Sequence, residues 1–132
     1  MAKKKVFISY DYDNDKHYKN LLLAWDAHAL FDFSIYDHSV DVSVNSVNAN
    51  YIKTVISNAI NDASYFLVII GPKTYRSNWV TWEIQKAVAL GKRIVAVKIA
   101  NTYESPTAIY NVGAKWAMSF TYLAIRNAID NA

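Results

Sequence analysis

The chain of 132 residues is 53% hydrophobic and 14% aromatic, and this composition excludes an intrinsically disordered protein. Its length is sufficient for one independently folded core, so we expect a single domain over residues 1–132. The formal net charge is +3 and the chain contains no cysteine. Without cysteines, disulfides, thiolate metal sites and a cysteine nucleophile are excluded.

The amino terminus carries Lys3, Lys4 and Lys5 directly before the first apolar run. We interpret these lysines as a solvated terminus, because no second basic cluster interleaved with aromatic residues follows them in the sequence. The apolar run behind them ends at Ile8 and is too short for a secretory signal. The longest apolar run, residues 65–70, is much too short to span a bilayer. The sequence thus predicts a cytoplasmic protein with neither a nucleic acid nor a membrane as partner.

Strand-like and helix-like patterns alternate along the chain, beginning with a strand. In the first half they predict a strand, a helix, a second strand, a polar loop and a second helix. Their ranges are, in this order, residues 5–10, 15–28, 31–36, 37–48 and 49–62.

The second half continues the alternation. The predicted elements are a third strand, a third helix, a fourth strand, a short fifth strand and a last helix that begins near Tyr122. The first four of these cover residues 65–70, 78–90, 93–99 and 116–120. Gly71 and Pro72 end the third strand, and Gly91 is a typical residue just after the end of a helix.

This alternation predicts an α/β fold, a flavodoxin-like three-layer sandwich with a central parallel sheet of about five strands and helices on both faces. The strand order 2-1-3-4-5 would place the switch point of the sheet between the first and third strands. The loops that follow these two strands contain residues 11–14 and 73–78. We therefore expect both polar loops to converge on one crevice.

Glu83 is the candidate for chemistry in this crevice. It lies in the helix that follows the third strand, and Ser77 or Asn78 is placed to cap that helix. Trp79 precedes Glu83 by four residues and therefore shares one side of the helix with it, at the rim of the core-facing stripe. A tryptophan beside a carboxylate can raise its pKa or offer a stacking surface. The alternatives are a solvated glutamate and a tryptophan that serves only in packing.

Several other site types lack the residues they need. Only three glycines occur, so neither a Walker loop nor a GxGxxG fingerprint exists, and the histidines have no metal-like spacing. Asp11, Asp13 and Asp15 are compatible with a phosphoacceptor site, but Gly71 and Pro72 stand where that chemistry requires an aspartate. The alternative for this acidic cluster is that Asp13, Asn14 or Asp15 caps the first helix. We predict no metal site.

Three segments resemble a known family. They are KKVFISYDYDND at residues 4–15, FSIYDHSV at residues 33–40 and FLVIIGPKTYRSNWVTWEIQKAV at residues 66–88. Together they resemble the TIR-like domain of the bacterial Thoeris anti-phage defence system, the ThsB family. The catalytic glutamate of TIR domains follows a WxxxE-like pattern, and Trp79 with Glu83 fits this pattern.

The resemblance implies an enzyme that cleaves the nicotinamide–ribose bond of NAD, with NAD as substrate and no cofactor. It further implies that the ADP-ribose moiety becomes a cyclic or conjugated signal. This signal would activate a downstream effector, typically a sirtuin-like NAD hydrolase with a nucleotide-sensing domain. Glu83 would then be the catalytic residue, and Trp79 would pack against it or against the nicotinamide ribose.

The remaining substrate-binding candidates follow from their positions at strand ends and at a helix start. We expect contacts to ribose or phosphate from residues after the first and second strands, and attraction of phosphates by cations near the third helix. The candidates are Ser9, Tyr10, Asp11, Asp37, Ser39, Lys73 and Arg76.

Two other functions remain open. In a nucleoside 2-deoxyribosyltransferase-like enzyme, a glutamate acts as covalent nucleophile on deoxyribose, and Glu83 would take that role. In a non-catalytic interaction module, the domain would act by self-assembly as a homo-oligomer. Exposed aromatic residues such as Tyr103 and Tyr110 would then form a partner surface.

Overall fold

The computed structural model describes residues 3–26, 30–35, 44–47 and 49–132. Five strands and four helices alternate in this part of the chain. The strands are β1 (Lys4–Ser9), β2 (Phe31–Ile35), β3 (Tyr65–Ile70), β4 (Arg93–Lys98) and β5 (Lys115–Ala117). The helices are α1 (Tyr12–Trp25), α2 (Ala49–Asp62), α3 (Asn78–Ala89) and α4 (Tyr122–Asn131). Two single 3₁₀ turns, Thr74–Arg76 and Thr107–Ile109, complete the described elements.

The strands form one parallel sheet in the order β2-β1-β3-β4-β5, which confirms the predicted flavodoxin-like α/β topology. All six residues of β3 are buried, as the uninterrupted apolar run predicts for a central strand covered on both faces. Because side chains alternate along a strand, Phe66 and Val68 face one core layer while Leu67 and Ile69 face the other. Helices α2 and α3 cover the first layer, and α1 and α4 cover the second.

Most predicted boundaries lie within one or two residues of those observed, and α2 and β3 match completely. The first helix is an exception, because it begins at Tyr12 instead of residue 15. Its first turn forms earlier since the carbonyl of Asp11 accepts hydrogen bonds from the N–H groups of Asn14 and Asp15, at 3.2 and 2.8 Å. The predicted ends of this helix at residue 28 and of the second strand at residue 36 lie outside the described residues.

The fifth strand was predicted too far along the chain. It covers Lys115–Ala117 and stops before Phe120, whose ring packs against Tyr18 and Trp25 of α1 at centroid distances of 5.1 Å each. Phe120 thus contributes to the core beneath α1 instead of extending the sheet. None of the helices in the described part of the chain has the length and apolar character needed to cross a membrane.

Candidate functional site

Ser9 and Glu83 meet at the carboxyl end of β1. Ser9 Oγ donates a hydrogen bond of 2.7 Å to Glu83 Oε1, and both residues are buried. Glu83 is only 2% exposed, so it does not lie at a rim as the helix pattern suggested. The hydrogen bond holds one carboxylate oxygen in a fixed direction at the carboxyl ends of the strands, where ligands of open α/β folds bind. The end of the first strand and α3 therefore meet in the fold, whereas the crevice expected between residues 11–14 and 73–78 stays a prediction.

Helix α3 begins at Asn78, so Glu83 lies about one and a half turns into it. Ser77 caps the helix as predicted, because its Oγ accepts a hydrogen bond of 3.2 Å from the N–H of Val80. Trp79 is 7% exposed and belongs to the core layer under α2 and α3. Its ring meets that of Trp82 edge to face, with centroids 6.0 Å apart. Trp79 thus packs in the core beside the helix turn that carries Glu83.

A second buried carboxylate, Asp15, lies against the end of β3. Thr74 Oγ1 donates a hydrogen bond of 3.0 Å to Asp15 Oδ2 and accepts one of 2.8 Å from the N–H of Gly71. Asp15 is fully buried, and its Oδ1 has no hydrogen-bond partner among the described residues. Burial raises the pKa of Asp15 from 3.8 to about 6; the Thr74 hydrogen bond lowers it and the charge of Asp11 adds to the rise.

The sequence did not indicate this arrangement, because an aspartate ahead of a helical stripe is usually a cap. Asp15 caps nothing here; it lies one turn inside α1. The available signal was Gly71, which has no side chain at a place where the carboxylate of Asp15 comes close. Such a glycine could have indicated that another group approaches the backbone after β3.

Tyr10 and Asp11 follow Ser9 directly. Tyr10 is 5% exposed, and the ammonium of the equally buried Lys19 lies 5.6 Å from the centre of its ring. Asp11 is half-buried and accepts a hydrogen bond of 2.6 Å from Asn14 Nδ2. The buried lysine was not among the predicted site residues, since lysines on an amphipathic helix are mostly solvated.

No contact with Glu83 is described for the other predicted binding residues. Lys73 and Arg76 are exposed at the 3₁₀ turn that leads from β3 into α3. Asp37 and Ser39 lie outside the described residues. Their roles in binding ribose or phosphate stay predictions, as does the role of Glu83. No three histidine, aspartate or glutamate side chains of the described ranges come together in a way that could hold a metal ion.

A basic cavity of about 630 Å³ lies at the other end of the strands. It lies at the amino ends of β1, β3 and β4 and is lined by Lys3, Lys4, Lys5, Ser64, Tyr65, Gly91, Lys92 and Arg93. The fold therefore brings Lys92 and Arg93 close to the three amino-terminal lysines, although the two groups are far apart in sequence. Because Glu83 lies at the carboxyl ends of the strands, this cavity does not belong to the candidate site.

The chain is similar to a protein family and to a protein of Bacillus cereus. The family model described as "Thoeris protein ThsB, TIR-like domain" matches residues 7–104. A protein of Bacillus cereus (strain MSX-D12) named "Putative cyclic ADP-D-ribose synthase ThsB1" is 26% identical over 135 residues, covering 96% of this chain. The chain spans 66% of the length of that relative.

Solved structures with the same architecture include a CMP N-glycosidase and a 2-deoxyribosyltransferase. A Clostridium botulinum CMP N-glycosidase, BcmB, is similar with a TM-score of 0.65 and 16% identity, over 98% of this chain and 100% of that one. A 2-deoxyribosyltransferase from Bacillus psychrosaccharolyticus has a TM-score of 0.62 and 14% identity, over 97% and 91% of the two chains. At these identities the similarity shows the fold alone.

Proposed function

The chain belongs to the family of the Thoeris protein ThsB, TIR-like domain, and from this premise we propose that it is an NAD-consuming enzyme of the cytoplasm. It cleaves the nicotinamide–ribose bond and converts the ADP-ribose moiety into a cyclic or conjugated signal. The name of the Bacillus cereus relative, "Putative cyclic ADP-D-ribose synthase ThsB1", supports this reaction class. The observation that carries the proposal is the buried hydrogen bond from Ser9 to Glu83 at the carboxyl edge of the sheet.

The chemistry requires only one carboxylate. When the bond between ribose C1′ and the pyridinium nitrogen breaks, its electron pair goes to that nitrogen and nicotinamide leaves as a neutral molecule. No general acid is needed for this step. The positive charge that develops on the ribose is oxocarbenium-like, and the carboxylate of Glu83 stabilises it. Attack by water at C1′ releases one proton to solvent and gives ADP-ribose. Attack by the lone pair of an adenine ring nitrogen of the same molecule releases no proton, transfers the positive charge to the adenine and gives a cyclic product.

Burial makes this electrostatic stabilisation stronger. A carboxylate in a water-poor site interacts with a developing cation more strongly than it does in bulk water, and its orientation is already fixed by Ser9. Trp79 supports the helix turn that carries Glu83. Tyr10, Asp11, Asp37 and Ser39 are our candidates for the ribose hydroxyls, and Lys73 and Arg76 for the phosphates.

The test is mass spectrometry of the products formed from NAD by the purified protein, with and without an extract of phage-infected bacteria. We expect nicotinamide together with an ADP-ribose-derived product from the wild type. Glu83→Gln keeps the size of the side chain but removes its charge, and it should lower product formation at least about a hundredfold.

The chain offers a matched control, because Glu83 and Glu104 are its only glutamates. Glu104 is exposed in the loop after β4, so Glu104→Gln should form product at the wild-type rate. Equal product from Glu83→Gln and Glu104→Gln would remove Glu83 from the mechanism. Thermal unfolding of both variants tells a loss of chemistry from a loss of fold.

The wild type and Glu83→Gln also test the downstream effector, the deoxyribosyltransferase function and the non-catalytic assembly function. A protein-free filtrate of the wild-type reaction should activate the effector, whereas a filtrate from Glu83→Gln should not. Base exchange between deoxynucleosides by the wild type would instead favour a 2-deoxyribosyltransferase. Full phage protection by Glu83→Gln in cells would favour a non-catalytic assembly module.

A further inference from the structure

A cavity of about 360 Å³ opens at the carboxyl ends of β4 and β5. Lys98 is the last residue of β4, Trp116 lies in β5, and Met118 follows β5 directly. The cavity is therefore at the carboxyl ends of the strands, as Glu83 is, but on the other side of β3 in the sheet order. Its lining residues are Lys98, Ser105, Tyr110, Trp116 and Met118. None of them belongs to the candidate catalytic site described above.

Ser105 has an unmet hydrogen-bonding requirement in this cavity. The residue is 3% exposed, and its Oγ has no hydrogen-bond partner among the described residues. A hydroxyl that is removed from water without a partner destabilises the fold, and buried polar groups of native proteins are almost always satisfied. Ser105 is among the residues that line the cavity, so rotation about its Cα–Cβ bond would turn the hydroxyl towards a molecule bound there.

Two aromatic side chains, those of Tyr110 and Trp116, also line the cavity. The rings of Tyr110 and Trp116 are stacked, with centroids 6.1 Å apart and an interplanar angle of 27°. The chain turns sharply after Tyr110, where Asn111 has a φ of 61° and Gly113 a φ of 74°. This turn keeps Tyr110 over Trp116 although Tyr110 is 53% exposed, and Met118 beside it is 51% exposed. An exposed aromatic face with a thioether neighbour suits a planar ring.

Lys98 adds a positive charge. Its Nζ donates one hydrogen bond of 3.1 Å to the carbonyl of Asn101, and an ammonium group has three protons to donate. No acidic residue is among those that line the cavity. The ammonium group can therefore also bind an anionic group without competition from a carboxylate of the lining.

We propose that this cavity is a nucleotide-binding site, separate from the one that contains Glu83. The base stacks on the outer face of the Tyr110–Trp116 pair, a polar atom of the base or ribose pairs with the Ser105 hydroxyl, and the phosphate binds to Lys98. The requirement for both a ring and an anion selects a nucleoside monophosphate over a free base or free phosphate. This site does not depend on the chemistry proposed for Glu83.

The experiment is calorimetric titration of the full chain with AMP, with adenosine and inorganic phosphate as separate ligands. AMP should bind more tightly than either. Ser105→Ala should weaken AMP binding about three- to tenfold. Its melting temperature should be unchanged or higher, since the variant removes an unpaired buried hydroxyl. Lys98→Gln should abolish the preference for AMP over adenosine, and Tyr110→Ala should weaken both ligands.

Matched variants and labelling locate the site. Lys115→Gln and Tyr51→Ala change an exposed lysine and an exposed tyrosine outside the cavity and should bind AMP as the wild type does. Photolabelling with 8-azido-AMP should mark residues 98–118. Labelling confined to other segments, absence of saturable AMP binding, or wild-type affinity in both Ser105→Ala and Lys98→Gln would overturn the proposal.

Discussion

The carboxylate of Asp15 occupies the space into which a side chain at Gly71 would project. Helix α1 and the end of β3 can approach this closely only because residue 71 has no Cβ. Thr74 completes the contact by hydrogen bonding to both residues. The contact fixes the beginning of the loop that leads to α3, and with it the approach of the helix that carries Glu83.

Gly71→Ala should destabilise the fold by about 1–3 kcal/mol, because the added methyl group overlaps the Asp15 carboxylate. Urea unfolding measures the loss. In the double variant with Asp15→Ala, much of this loss should disappear, since the overlapping group is gone. Gly91→Ala is the control: its cost comes from a φ of 71°, with no atom in contact, and should not change with Asp15→Ala. Additive costs of Gly71→Ala and Asp15→Ala would contradict the contact.

Asp15 should also make the stability depend on pH. Its pKa of about 6 in the folded state lies above the ordinary 3.8, so the folded chain binds the proton more tightly than the unfolded chain. The free energy of unfolding should therefore fall as the pH rises from about 4 to about 7. The difference between 3.8 and about 6 corresponds to about 3 kcal/mol at most.

Asp15→Asn isolates this contribution because its side chain cannot ionise. Urea unfolding at several pH values should show the variant gaining stability relative to the wild type as the pH rises through this window. A constant difference between the two proteins from pH 4 to 7 would contradict the raised pKa of Asp15.

Tyr122→Phe should loosen the attachment of α4 to the start of β2. The Tyr122 hydroxyl donates a 2.8 Å hydrogen bond to Asp26, which also accepts the N–H groups of Leu30 and Phe31. Burial alone would raise the pKa of Asp26, but the hydrogen bonds from Phe31, Tyr122 and Leu30 outweigh it and lower the pKa. We expect Tyr122→Phe to destabilise the fold by about 1–2 kcal/mol at neutral pH.

The effect of Tyr122→Phe should shrink in acid. Since the pKa of Asp26 is lowered by folding, its stabilising contribution is present above the unfolded value of 3.8 and is lost as the pH falls through the folded value. Chemical unfolding at pH 7 and pH 3 tests this. Tyr51→Phe, at a tyrosine that is 76% exposed, should have no effect at either pH. A loss that stays undiminished at a pH low enough to protonate Asp26 in the folded chain would show that the hydrogen bond to the ionised Asp26 is not its cause.

Local patterns predicted the elements well where they had clear ends. The β3 run is closed by Gly71 and Pro72, and α3 ends in a Schellman motif, in which Gly91 and Lys92 donate to the carbonyls of Val88 and Ala87. Such signals lie within a few residues of the boundary they set. They depend little on the rest of the fold, and this is why sequence alone was sufficient.

The candidate site depends on contacts between distant parts of the chain. Ser9 and Glu83 were both named as site residues, but their hydrogen bond joins positions 74 apart and could not be read from either segment. The burial of Asp15 depends in the same way on Gly71. From the local pattern, Asp15 was an alternative cap of the first helix, and this alternative was wrong because Asp15 lies inside α1.

The last prediction separates two roles of Ser9. If its hydroxyl orients the Glu83 carboxylate, as the 2.7 Å hydrogen bond indicates, Ser9→Ala should lower kcat for NAD cleavage about ten- to hundredfold and leave KM nearly unchanged. If the hydroxyl instead binds substrate in the ground state, KM should rise. Ser9→Thr keeps the hydroxyl and should retain most of the activity. Ser64→Ala, at an exposed serine on the opposite edge of the sheet, should match the wild type. Unchanged kcat and KM in Ser9→Ala would show that neither role contributes to the reaction.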